Sequence, residues 1–290
     1  MAIRIDSFCY ECLLRRHVAT ARALGSEEQA TEFARRLLRA CLDAPEDTPS
    51  PVIGTVVSDL LLELYGVPLD RFRQEKIDSN RFVLERMEDI RRKVHGAEDK
   101  VFAGLQMAIL GNYLDYGALQ DQVSFEKLDE MMDHALQMDL DRDVYDRFCA
   151  DLEKGKKLLY LTDNAGEIGF DRIFAEAIHE KYPHLEITFC VRGDIAGNDA
   201  LREDAAAVGI PFPVIDSGDR TAGTLIHKLG SEAREALEGA DVILAKGMAN
   251  TETMHGCGYN VYYAFLVKCQ RFVNIFKKPM FTPIFTSERE

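Results

Sequence analysis

Residues 156–171 read Lys-Lys-Leu-Leu-Tyr-Leu-Thr-Asp-Asn-Ala-Gly-Glu-Ile-Gly-Phe-Asp. The unbroken apolar run Leu158–Leu161 fits a buried strand better than an amphipathic helix, because it is short, continuous and ends in turn formers. Asp163 and Asn164 follow at once, and helical spacing begins at Ile168. In an open α/β sheet, side chains just past the carboxyl end of a strand face the ligand crevice. Two adjacent oxygen-bearing side chains there suit a hard cation such as Mg²⁺ or Mn²⁺. The same two residues also suit the N-cap of the next helix, so the rest of the chain has to decide between the two readings.

Downstream of Lys154-Gly155 the pattern alternates strand and helix, as in a mostly parallel sheet. Strands are expected at 158–162, 186–191, 214–215 and 242–245, with a weaker one within 264–269. Helices are expected near 168–181, 199–208 and 224–237. Right-handed crossovers would bring the strand ends to one edge. Three of those ends are polar: Asp163-Asn164, the run from Val191 through Arg192 to Asn198-Asp199, and Lys246-Gly247-Met248-Ala249-Asn250. Asp163, Asn164 and Asp199 offer two carboxylates and one amide oxygen, a partial octahedral set with room for waters and a substrate oxygen. Lys246 and Arg192 are cations expected to grip a phosphate, and helix N-termini would add to that grip.

The first half is helical. Segments 26–43, 52–65, 80–94, 101–110 and 125–150 have helical spacing or helix-compatible composition, and Ser26 is expected to cap the first of them. The domain division expected is 1–153 for an all-helical part and 154–290 for a Rossmann-like α/β part. The stretch Gly111-Asn112-Tyr113-Leu114-Asp115-Tyr116-Gly117 is either a turn between helices or a segment whose Asn112 or Asp115 faces the crevice. Cys9-Tyr10-Glu11-Cys12 opens a helix. Such a pair can bind zinc, but a structural site usually has four ligands and no second pair exists. It also lacks the strand context of a redox motif.

Composition narrows the class. The chain has 290 residues, 47% hydrophobic and 29% charged, with a net charge of −14. That charge argues against a general nucleic-acid or anionic-membrane binder, and no apolar run approaches a membrane span of ~20 residues. Seven cysteines, an odd number, do not suggest a disulfide framework. The opening residues lack a signal-peptide core, and a cytoplasmic protein is expected.

Taken together, Asp163-Asn164-Ala165-Gly166-Glu167, Asn198-Asp199-Ala200, Lys246-Gly247-Met248-Ala249-Asn250, Gly111-Asn112-Tyr113-Leu114-Asp115 and the Cys9–Cys12 pair resemble the DUF89 family of metal-dependent damage-control phosphatases, on its prokaryotic branch. The resemblance implies a helical domain beside a Rossmann-like three-layer domain and a divalent ion at Asp163, Asn164 and Asp199. It also implies a phosphate contact at Lys246. Mn²⁺, Co²⁺ or Ni²⁺ would be preferred over Mg²⁺, and the substrates would be sugar phosphates or phosphopantetheine-like esters. Arg192, Asn112, Asp115, Glu167, Asn198 and Asn250 are grouped as substrate- or phosphate-binding. Two other readings compete: an S-adenosylmethionine-dependent carboxyl methyltransferase, and a metal- or redox-sensing module built on Cys9 and Cys12. The first should carry a glycine-rich loop after the first strand, where only Gly166 and Gly169 stand.

Overall fold

The run that decides the fold becomes β1 (Lys157–Leu161), in a computed structural model that describes residues 3–119 and 122–289. Its alternate residues point to opposite faces. Leu158 and Tyr160 enter one apolar cluster, and Leu159 and Leu161 another. β1 is therefore covered on both sides, which explains why its apolar run is continuous. It pairs in parallel with β2 (Glu186–Val191) and β4 (Val242–Lys246). With β3 (Val214–Asp216), β5 (Val261–Leu266) and β6 (Pro283–Ser287), the sheet runs in the order β3-β2-β1-β4-β5-β6, and β6 alone is antiparallel. The strand order reverses between β1 and β4. That switch point is where an open parallel sheet leaves a crevice at its carboxyl edge.

The helices are α1 (Ser7–Leu24), α2 (Glu27–Asp43), α3 (Ser50–Tyr65), α4 (Arg73–His95), α5 (Lys100–Gly111), α6 (Tyr116–Leu119), α7 (Phe125–His134), α8 (Arg142–Lys154), α9 (Glu167–Lys181), α10 (Arg202–Ala207), α11 (Ser231–Gly239), α12 (Gly247–Met254) and α13 (Gln270–Phe276). α11, α12 and α13 supply Leu237, Met254 and Phe272 to the core on one sheet face. On the other face, α4, α5, α8 and α9 share a single cluster running from Phe82 to Phe285. Packing thus crosses the expected division at 153/154, and only α1–α3 have a separate cluster, around Phe33 and Val57.

α5 comes unusually near α9 because Gly104 and Gly111 face Phe174 and Phe170. A Cβ at either glycine would lie 2.9 or 2.8 Å from the phenyl ring. That close approach sets the end of α5 beside the start of α9.

Several boundaries differ from expectation. The long helix expected over 125–150 is two helices, because Asp141 accepts from Val144 N at 3.1 Å and starts α8 anew. The helix expected from Asp199 begins only at Arg202. The one expected from Thr224 begins at Ser231, after Gly230. β5 starts at Val261 and ends at Leu266, before Lys268, and β6 had no sequence forecast. Ser26 does cap α2, in a reciprocal capping box with Gln29.

Candidate active site

Asp163 and Asn164 lie just beyond β1 at the switch point, and Asp199 is brought to them by main-chain stitching. Asn164 and Asp199 form an antiparallel bridge. Ala165 N donates to Asn198 O at 2.9 Å, and Ala200 N donates to Asp163 O at 2.7 Å. The loop after β2 is thus zipped to the loop after β1. Asp163, Asn164, Asn198 and Asp199 are all buried yet line one cavity of about 750 Å³, together with Asp115.

Side-chain amides hold these groups. Asn112 caps the end of α5, and its Nδ2 donates to Asp163 Oδ2 at 2.9 Å and to Glu167 Oε2 at 2.9 Å. Its Oδ1 accepts from Leu266 N at 3.1 Å, so the amide orientation is fixed from both ends. Asn164 Nδ2 bonds Asp163 Oδ2 and Glu167 Oε2, both at 2.8 Å. Asn198 Nδ2 donates to Asn164 Oδ1 at 2.9 Å, and Gly117 N donates to Asn198 Oδ1 at 3.1 Å. Arg192 Nε donates to Asp199 Oδ2 at 2.9 Å. Asp163 Oδ1 and Asp199 Oδ1 accept no hydrogen bond among the described residues. Gly247, at the start of α12 with φ +80, provides the seat for Asp163, since a Cβ there would fall 2.0 Å from Asp163 Oδ2.

The expected phosphate grip of Lys246 and Arg192 is not what their geometry offers. Lys246 is fully buried, and its ammonium donates to Glu167 Oε1 (2.8 Å), Asp171 Oδ1 (2.6 Å) and Ala108 O (2.8 Å). All three protons are committed inside the protein. Arg192 is occupied by Asp199 and the Gly223 carbonyl. Asn112, Glu167, Arg192 and Lys246 stand one layer behind the cavity wall. Asn250 is further back, donating to Lys246 O and Thr162 O. Lys268, which the sequence reading passed over, does line the cavity. It donates to Asn112 O at 2.6 Å and Asp115 Oδ2 at 2.7 Å. The available signal was position: Lys268 stands two residues beyond β5, as Asp163 stands two beyond β1.

Charge accounts for the electrostatics. The hydrogen-bonded network joins five carboxylates (Asp115, Asp163, Glu167, Asp171, Asp199) to three cations (Arg192, Lys246, Lys268). Formally that leaves two negative charges, matched by one divalent ion. Without one, burial pushes the Asp163 carboxyl well above its usual range, and Glu167 and Asp199 push it further. Burial likewise raises Asp199 to about 6, against the opposing pull of Arg192. Among the described residues no three His, Cys, Asp or Glu side chains are placed as a metal cage by themselves. A cation here would need the Asn164 amide between the two aspartates. Such an oxygen-only set suits Mg²⁺ or Mn²⁺, and Co²⁺ or Ni²⁺ by geometry rather than softness.

At the other end of the cavity, Cys9 is buried and accepts from Arg271 at 3.2 Å, while Cys12 lines the wall. Burial pushes the Cys9 thiol up to about 12, far from a reactive thiolate.

The fold and its cavity define a Rossmann-like α/β protein with an oxygen-rich site at the topological switch point. The family model for the damage-control phosphatase ARMT1-like domain matches residues 5–282, and the chain belongs to that family. A damage-control phosphatase of Archaeoglobus fulgidus is 29% identical, covering 92% of this chain and 93% of its own. One from Pyrococcus horikoshii is 27% identical over 93% and 94%. An uncharacterized protein of Methanocaldococcus jannaschii is 29% identical over 93% and 90%. The crystal structure of a DUF89 family protein from Pyrococcus horikoshii superposes with a TM-score of 0.83 over 99% of both chains at 22% identity, a likeness of fold.

Proposed function

We infer that the protein is a metal-dependent phosphatase of the damage-control type, hydrolysing small phosphorylated metabolites. One observation carries the reading: a buried network with two excess negative charges opens onto a cavity at the switch point, in a chain of this family. Asp163, Asn164 and Asp199 would hold the divalent ion. When bound, that ion would neutralise charge on a phosphoryl group and polarise its phosphorus. The chain's own part is positional. Asn112 and Asn164 fix one oxygen of Asp163, leaving the other for the ion. Glu167 gathers both amides, and Lys246 balances Glu167 from behind. Asp115 lines the cavity, and Lys268, whose side chain is fully buried, steadies that carboxylate through its bonds to Asp115 Oδ2 and Asn112 O.

The turn between β1 and α9 is filled by Asp163, Asn164 and Glu167 rather than a glycine-rich nucleotide loop, which weighs against the methyltransferase. All seven cysteines are free, which suits a reducing, cytoplasmic setting. Among the described residues no helix is long and apolar enough to cross a membrane. The deciding assay is hydrolysis of p-nitrophenyl phosphate with Mn²⁺, Co²⁺, Ni²⁺ or Mg²⁺ by wild type and Asp163→Ala. Activity confined to the wild type is expected. Equal rates in both proteins would overturn the assignment.

A further inference from the structure

The cavity is larger than a phosphoryl group requires. At about 750 Å³ it falls in the ~300–1,000 Å³ range that encloses whole small ligands. Its two walls differ in sign. The floor is the carboxylate–amide set at the strand ends. Arg16 and His17 on α1, and Arg71 in the loop before α4, line another wall. The two are close: Arg16 donates to Gly117 O, and Gly117 N donates to Asn198 Oδ1 at 3.1 Å.

Four other buried or half-buried arginines of the chain have carboxylate partners that Arg16 and Arg71 lack among the described residues. Arg91, Arg172, Arg192 and Arg271 each pair with a carboxylate. Arg16 and Arg71 form no ion pair with a described residue, although the chain carries a net charge of −14. Arg71 is half-buried, with its guanidinium 4.9 Å from the centre of the Phe72 ring, and burial holds it below its usual value. His17 is near enough to feel both and is depressed to about 4 by burial and by repulsion from Arg16 and Arg71. Two guanidiniums and an imidazole on one wall, with neither guanidinium paired to a carboxylate among the described residues, are a receptor geometry for an anion.

We propose that Arg16, His17 and Arg71 form a second anion subsite, so that the substrate is a phosphomonoester bearing a further carboxylate or phosphate at its far end. This rests on the phosphatase reading for its first anion, which belongs at the metal floor. The second anion lies across the cavity against α1 and the Arg71 loop. A neutral sugar phosphate fills only one of the two places.

The test compares 6-phosphogluconate with sorbitol 6-phosphate, which differ only in a C1 carboxylate against a C1 alcohol. The ratio of their kcat/KM values does not depend on the fraction of active protein. Wild type is expected to favour 6-phosphogluconate by about tenfold or more, as a charge-assisted contact would give. In Arg71→Ala the ratio should fall toward one. A wild-type ratio near one, or a ratio that Arg71→Ala leaves intact, overturns the subsite. A second measurement stands apart from turnover. At pH 5, sulfate should give a saturable shift of the His17 ring resonance in the metal-free wild type and none in Arg71→Ala. Were neither ester hydrolysed with any metal, the phosphatase reading would fall. The sulfate titration would then decide the subsite alone: no saturable shift overturns it, and a shift lost on Arg71→Ala upholds it.

Discussion

Gly247→Ala tests the geometry of the site at one atom. Gly247 has φ +80, a conformation that costs an alanine about 1–2 kcal/mol. Gly258 has φ +82 with nothing within 4 Å of an added Cβ, so Gly258→Ala carries that strain without a clash. At Gly247 the Cβ would sit 2.0 Å from Asp163 Oδ2 and 2.3 Å from its Cγ. Carbon–oxygen contact needs roughly 3.5 Å, so the carboxylate must retreat by more than about 1 Å. Retreat breaks its bonds to Asn112 and Asn164, both shorter than 3 Å. A displacement of that size at a reacting centre costs about 100-fold in rate. The assay sets the two variants side by side, with Mn²⁺ affinity by calorimetry, kcat/KM on p-nitrophenyl phosphate, and thermal midpoint. Both should lose similar stability from backbone strain, whereas only Gly247→Ala should lose metal and turnover. If Gly247→Ala binds Mn²⁺ as tightly as Gly258→Ala, Asp163 is not the ligand its placement implies.

Three further outcomes follow from buried charges. Lys246→Met strands Glu167 and Asp171 as buried, unbalanced carboxylates and should cost about 3–5 kcal/mol in chemical denaturation; a stability like that of wild type would mean that the ion triad is not formed. Mn²⁺ affinity should weaken as pH falls through about 6, by about tenfold per pH unit for the Asp199 proton, and the upward-shifted Asp163 carboxyl adds to the loss in the same direction. Calorimetry at pH 5, 6 and 7.5 reads this, and a flat profile contradicts it. Glu252, raised from 4.5 to about 7 by burial despite Arg271, favours the folded state while protonated. Its contribution is complete below pH 4.5 and is lost as pH rises through 7, on the order of 3 kcal/mol in all. Glu252→Gln should therefore flatten the stability loss between pH 5 and 8, and an unchanged slope would assign that loss to other groups.

The sequence made legible what depends on local pattern. Mostly apolar stretches giving way to polar residues at Thr162-Asp163, Arg192 and Lys246 marked β1, β2 and β4, and with them the positions of Asp163, Asn164 and Asp199 at one sheet edge. What it hid depends on partners distant along the chain. β6 is an edge strand opened by Pro283, half-exposed over much of its length, and carries no run to notice. Lys246 reads as a free cation beside a glycine, because nothing local reveals Asp171 and Ala108 waiting for it. Helical spacing in α4 and α5 announces an apolar face but not its partner, so their burial against α9 and the sheet lay beyond a reading by segments.

The end of α5 shows why the helical half matters to chemistry at the strand ends. A helix carboxyl end leaves carbonyls unpaired and carries partial negative charge. Here two buried lysines answer it, Lys246 at Ala108 O and Lys268 at Asn112 O. Each lysine also holds carboxylates of the site, Lys246 through Glu167 and Lys268 through Asp115. Asn112 itself turns its amide to Asp163. The helix terminus therefore recruits the cations that let carboxylates crowd together, and it orients the aspartate left without a cation of its own. Gly104 and Gly111, by admitting Phe174 and Phe170, bring that terminus within reach. A larger residue at either glycine would push the α5 terminus away from Asp163 while leaving every strand-end residue in its place.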